Sequence, residues 1–103
     1  MSELFIRDQD LKELRRLLRL HLPGVTAWAY GSRVNGRAHE ASDLDVVLRT
    51  SDLRPIPIDQ LAAFKAALSD SNIPILIDAR DWAVLPDSFH DEIQKQHVVI
   101  RMR

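Results

Sequence analysis

The residue types that handle phosphate and metal are concentrated in one stretch, GSRVNGRAHEASDLDVV, from Gly31 to Val47. A Gly-Ser pair that follows an apolar run and opens a short polar segment can cradle a phosphate. The glycine lets the backbone come close to an anion, while the Ser32 hydroxyl and helix N–H groups face it. Taken alone, Gly31-Ser32 reads more simply as a tight turn with a helix N-cap. Asp43 and Asp45 open the next apolar run. Alternation at period two sends both carboxylates to one face of a strand, with side-chain origins about 6.6 Å apart, and Leu44, Val46 and Leu48 to the other. Two anions this close favour a bound cation, and hard oxygen ligands suit magnesium or manganese. By itself an Asp-x-Asp is at least as often a solvated strand start.

The spacing links the two features. Ser32 follows one expected strand and Asp43 begins the next, so antiparallel pairing brings cradle and carboxylates to the same sheet edge. A nucleoside triphosphate fits there, because a metal neutralises its charge and orients the α-phosphorus for in-line attack. Asp78, placed after an expected strand over Ile73 to Ile77, reaches this edge on the expectation that the third strand runs antiparallel to the second. There it accepts the attacking hydroxyl's proton or helps to hold a second metal, although an isolated aspartate is more often a loop or cap residue. Asp81, three residues on, reads as a helix cap. Arg33 and Arg37 carry guanidinium groups suited to phosphate oxygens, or are simply solvated or ion-paired.

These positions need a scaffold. Leu11, Leu14, Leu17, Leu18 and Leu22 recur at helical spacing between Asp8 and Leu22, opposite Arg15, Arg16 and Arg19, and Pro23-Gly24 ends the helix. The basic strip, with Lys12, reads as a solvated face before it reads as a docking surface. Val25 to Tyr30 and Asp43 to Arg49 have strand character. Ser32 to His39 is expected as a turn or two-turn helix. After Pro57, a helix with Ile58, Leu61, Ala62, Phe64 and Leu68 inward is expected. Pro86 to His97 completes the set as a last helix, with Phe89, Ile93 and Val84 inward, before a short terminal strand over Val98 to Met102. The order describes one α/β (α+β) domain over residues 1–103.

Composition excludes other classes. The 14 Lys plus Arg against 15 Asp plus Glu give a net charge of −1, which argues against a protein that mainly grips nucleic acid. The chain has no cysteine, which removes disulfides, thiolate nucleophiles and Cys-ligated zinc, and His21, His39, His90 and His97 show no zinc-protease spacing. No apolar run suggests a signal peptide or membrane span, so a cytoplasmic protein is expected. Trp28 and Tyr30, just before the cradle, read as core residues or as platforms for a base.

Gly31-Ser32, ten intervening residues and Asp43-x-Asp45 resemble the signature of the DNA polymerase β-type nucleotidyltransferase superfamily. With SDLDVV and the later IPILIDARDW, the chain is most similar to minimal nucleotidyltransferases. The resemblance implies a small mixed β-sheet with helices on one side. It also implies Ser32 on the triphosphate, Asp43 and Asp45 on Mg2+, and Asp78 as the third carboxylate. Members of this group resemble antitoxins paired with HEPN-domain toxins, which implies transfer of AMP from ATP to a tyrosine of the partner. A non-catalytic module that occludes its partner, and transfer to a small molecule or RNA end, are the alternative readings.

Overall fold

A computed structural model describes residues 4–36 and 42–102. In chain order the elements are α1 (Asp8–His21), β1 (Thr26–Tyr30), α2 (Ser32–Asn35), β2 (Leu44–Arg49), α3 (Ile58–Asp70), β3 (Ile77–Asp81), α4 (Asp87–Lys95) and β4 (Val98–Arg101). A single 3-10 turn, Trp82–Val84, joins β3 to the approach of α4. The strands form one mixed sheet in the order β3-β2-β1-β4. β1 runs antiparallel to both β2 and β4, whereas β2 and β3 are parallel.

The alternation expected for β1 and β2 builds two unlike faces. Ala27, Ala29, Leu44, Val46, Leu48 and Ala79 point to one side, where they pack under Leu14, Leu17 and Leu18 of α1 and Phe64 of α3. The charge pattern of α1 suits its axis, with Asp8 and Asp10 in the first turn and Arg19 and His21 in the last. Trp28, Tyr30 and Val47 point to the other side, where Trp82 and Ile93 of α4 meet them. The two long helices thus share one face, as expected, and the short α4 lies against part of the opposite one.

Three expectations need correction. The strand placed at Ile73 to Ile77 begins instead at Ile77, because the segment with Pro74 lacks a continuous row of donors. That strand is parallel to β2, not antiparallel, because α3 carries the chain back across the sheet before it re-enters. The apolar faces of two helices were also read too broadly. Ile58 is 83% exposed, Val84 71% and Phe89 43%, so Phe64 and Ile93 are the fully buried anchors of α3 and α4.

Candidate active site

The β1–β2 hairpin sets the first contact of the site. Its register pairs Tyr30 with Asp45, so the residue after Tyr30 meets the start of β2. Gly31 sits there with φ 79° and ψ −152°, a conformation open in practice only to glycine. A side chain at this position would collide with Asp45 Oδ2. The Gly31 carbonyl accepts from Val34 N at 3.0 Å and from Asn35 N at 3.1 Å, which closes the single turn of α2 with Ser32 at its head. Gly36, at φ 82°, ends that turn in the left-handed region.

The parallel register of β2 and β3 pairs Asp45 with Asp78. Asp78 therefore stands beside Asp45 from the beginning of its strand rather than its far end. Asp43 stands just ahead of β2 and is exposed, whereas Asp45 is half-buried. Burial, followed by the negative charges of Asp78 and Asp43, raises the Asp45 pKa above the ordinary carboxylate value, with Arg80 opposing. Burial, followed by the negative charges of Asp45 and Asp78, also raises the Tyr30 phenol, again against Arg80. Three carboxylates thus share one electrostatic environment at one sheet edge.

Arg80 is the residue that sequence reasoning passed over. It holds Asp78 Oδ2 through Nη2 at 3.1 Å and Nε at 3.2 Å, and this bond and charge keep its own pKa raised. The signal was present in Asp78-Ala79-Arg80, since period two places the first and third residues on one face. Among the described residues, no group of three acidic, histidine or cysteine side chains is disposed to hold a metal ion as it stands. The chemistry of the donors still suits a hard cation. The repulsion felt by Asp45 is the charge that such an ion relieves.

Arg33 corrects an expectation. It is buried, at 3% exposure, and donates to the Ser42 carbonyl through Nε at 2.9 Å and Nη2 at 2.7 Å, and to the Phe5 carbonyl through Nη1 at 2.7 Å. The guanidinium ties the N-terminal segment to the residue before Asp43 instead of facing a phosphate. The other arginine expected there, Arg37, lies outside the described residues, as does His39. Asp81 caps the 3-10 turn as expected, accepting from Ala83 N at 3.0 Å, and its second oxygen accepts from Ile56 N at 2.8 Å. Trp28 is occupied by its neighbours, stacked on His97 at 3.9 Å, edge-on to Trp82 at 5.9 Å and beneath Arg49 at 4.2 Å.

Two open clefts flank the acidic edge. One, of about 500 Å3, lies where β1 meets α2 and faces α4, bounded by Tyr30, Gly31, Asn35, Phe89, Glu92 and Ile93. The other, of about 490 Å3, runs between α3 and β3 and includes Asp78, Lys65 and Leu68.

Known proteins resemble this chain in sequence and in fold. The model of the family described as polymerase beta nucleotidyltransferase matches residues 12–103. A Haemophilus influenzae protein named "Probable protein adenylyltransferase MntA" is 36% identical over 102 residues, spanning 97% of this chain and 86% of that protein. Among solved structures, a toxin-antitoxin crystal structure with AMP-PNP superposes with a TM-score of 0.73 at 16% identity, covering 90% of this chain and 73% of that one. A tri-AMPylated Shewanella oneidensis HEPN toxin in complex with an MNT antitoxin gives a TM-score of 0.69 at 12% identity, covering 95% and 74%. At such identities these two superpositions speak for the fold, while the family match and the Haemophilus relative speak for descent. The chain belongs to the polymerase beta nucleotidyltransferase family.

Proposed function

We propose that this protein transfers AMP from ATP to a tyrosine of a HEPN-type toxin partner, with Asp43, Asp45 and Asp78 holding a divalent cation, Mg2+ or Mn2+. The observation that carries the reading is the convergence of Gly31, Asp45 and Asp78 from three strand ends onto one sheet edge. The relative named as a protein adenylyltransferase and the toxin-antitoxin structures with AMP-PNP or an AMPylated toxin support the nucleotide and the acceptor. The near-neutral net charge supports a protein acceptor over a nucleic acid. No described helix is long and apolar enough to cross a membrane. We place the reaction in the cytoplasm, where ATP is supplied.

In this reading Gly31 allows phosphate oxygens to approach the backbone and Ser32 donates its hydroxyl to them. When bound, the cation neutralises phosphate charge and favours attack at the α-phosphorus. Asp45 and Asp43 supply its oxygens. Asp78, released from Arg80, accepts the tyrosine proton, or adds a further oxygen to the cation site while that proton passes to solvent. The phenolic oxygen forms the new bond to the α-phosphorus, the bond between that phosphorus and the oxygen bridging to the β-phosphate breaks, and pyrophosphate leaves. Arg80 then stabilises the phosphate charge that its partner no longer balances.

The test incubates the protein with α-labelled ATP, Mg2+ and its HEPN partner. We expect label on a partner tyrosine and release of pyrophosphate. Asp43→Asn combined with Asp45→Asn should reduce transfer by at least about 10^3-fold, the scale of lost metal stabilisation. If the double variant and the parent both neutralise the partner only at stoichiometric dose and equally well, a module that occludes without catalysis is favoured instead.

A further inference from the structure

If the acidic edge transfers a nucleotide, the rest of that nucleotide needs a place to lie. We infer that the cleft between the β1–α2 junction and α4 is the nucleoside subsite, with Phe89 as the platform for the base and Glu92 as the group that reads its polar edge. This inference rests on the nucleotide-transfer reading above.

Location is the first argument. Tyr30 and Gly31 line the cleft and are also the residues that register against Asp45. A group attached to a phosphate at Gly31 therefore enters it directly. The sheet order puts β2, with Asp43 and Asp45, between this cleft and the one that contains Asp78. Donor and acceptor can thus approach the carboxylates from opposite flanks, as in-line displacement demands.

Lining chemistry is the second. Among its described lining residues none is basic, and Glu92 repels phosphate, so the cleft suits the uncharged end of a nucleotide. Ile93, at 1% exposure, forms an apolar floor, and Phe89 stands 43% exposed beside it. An aromatic ring left half uncovered next to a phosphate cradle offers a face for base stacking. The nearby indoles do not offer one so readily, since Trp28 is stacked on His97 and Trp82 on His90 at 3.8 Å. The volume of about 500 Å3 falls in the range of small-molecule sites.

The carboxylate of Glu92 gives the subsite a preference. When ionised it only accepts hydrogen bonds, so it favours an exocyclic amine or ribose hydroxyl over a carbonyl edge. Adenosine presents an exocyclic amine where uridine presents a carbonyl, and the uracil edge carries a second carbonyl on the other side of its one N–H, so ATP should bind more tightly than UTP.

The experiment measures binding of ATP, UTP and inorganic tripolyphosphate, each with Mg2+, to the full chain by calorimetry. Phe89→Ala should weaken ATP about tenfold, the effect of losing one stacked base, while changing tripolyphosphate less than about twofold. Ser88→Trp, which fills the cleft from an exposed position, should do the same. Glu92→Gln should narrow the preference for ATP over UTP severalfold. Unchanged ATP affinity in both Phe89→Ala and Ser88→Trp, with label transfer intact in the parent, overturns the subsite. Loss of HEPN-partner binding in those variants with ATP affinity intact also overturns it and gives the cleft to the partner. A parent protein that binds neither ATP nor tripolyphosphate defeats the nucleotide-transfer reading itself.

Discussion

The two faces of the sheet are made from the same strands and solve different problems. Beneath α1 and α3 the face is apolar, with Leu14, Leu18, Ala27, Leu44, Val46 and Phe64 all fully buried. The opposite face carries Tyr30, Asp45, Asp78 and Arg80 at one end and Trp28, Trp82 and Arg49 at the other. It is only partly covered by α4. Among the described residues, the buried side-chain nitrogens without a hydrogen-bond partner are Trp28 Nε1 and Arg49 Nε, both of this second face. Buried polar groups are normally satisfied, and packing like this gives away stability. The contrast teaches that one face supplies the folding energy which lets the other hold repelling carboxylates.

Four substitutions sharpen or break that contrast. Phe64→Ala, on the apolar face, should cost about 3–5 kcal/mol in urea unfolding, as buried aromatic truncations do, without altering nucleotide affinity in the fraction that remains folded. Arg33→Met should cost about 2–3 kcal/mol by the same measurement, because three carbonyl bonds to a buried guanidinium are lost. It should also reduce transfer, since the entry to Asp43 loses its anchor. Gly31→Ala should cost about 1–3 kcal/mol from backbone strain alone. Its effect on ATP binding should be disproportionate, because the added methyl group pushes Asp45 aside. The two kinds of loss can be separated by comparing a thermal melt with calorimetric titration of ATP.

Asp45→Asn gives the smallest shift in stability and the clearest sign. Because the folded-state pKa of Asp45 is raised, the native protein binds this proton more tightly than the unfolded chain does. The carboxylate's contribution to stability therefore declines as pH rises from the ordinary value of 3.8 through the raised folded value. At neutral pH without metal, the asparagine variant should melt no lower than the parent and up to about 4 °C higher, since a half-buried group is partly screened. Its adenylyl transfer should be lost. A variant that melts well below the parent would mean that Asp45 supports the fold and not the chemistry.

How far the sequence could be read followed from how local each signal was. β1 and β2 were legible because alternation is a property of neighbouring residues, and Gly31, Asp43 and Asp45 were legible with them. The placement of β3 was not. Ile73, Ile75 and Ile77 alternate like a strand, and their side chains do pack against the core, yet the ladder itself runs through the charged Ile77–Asp81 segment. Its direction follows from α3, since a helix between two neighbouring strands makes them parallel. Reading the crossover first would have placed Asp78 at a strand start. The role of Arg33 was hidden for another reason, because its partners lie 28 and 9 residues away. No window of sequence shows that the cation at Arg33 is spoken for by two distant carbonyls.

The reach of that guanidinium has a practical consequence. One of its acceptors is the carbonyl of Phe5, and the Phe5 amide in turn donates to the Arg33 carbonyl at 2.7 Å. The segment at Phe5 is therefore fastened to α2 and, through the same guanidinium, to the residue before Asp43. Trimming it, or crowding it with an affinity tag, would strip a buried cation of an acceptor and loosen the approach to Asp43. Recombinant material shortened at the amino end would then look like a poor enzyme for reasons unrelated to its carboxylates.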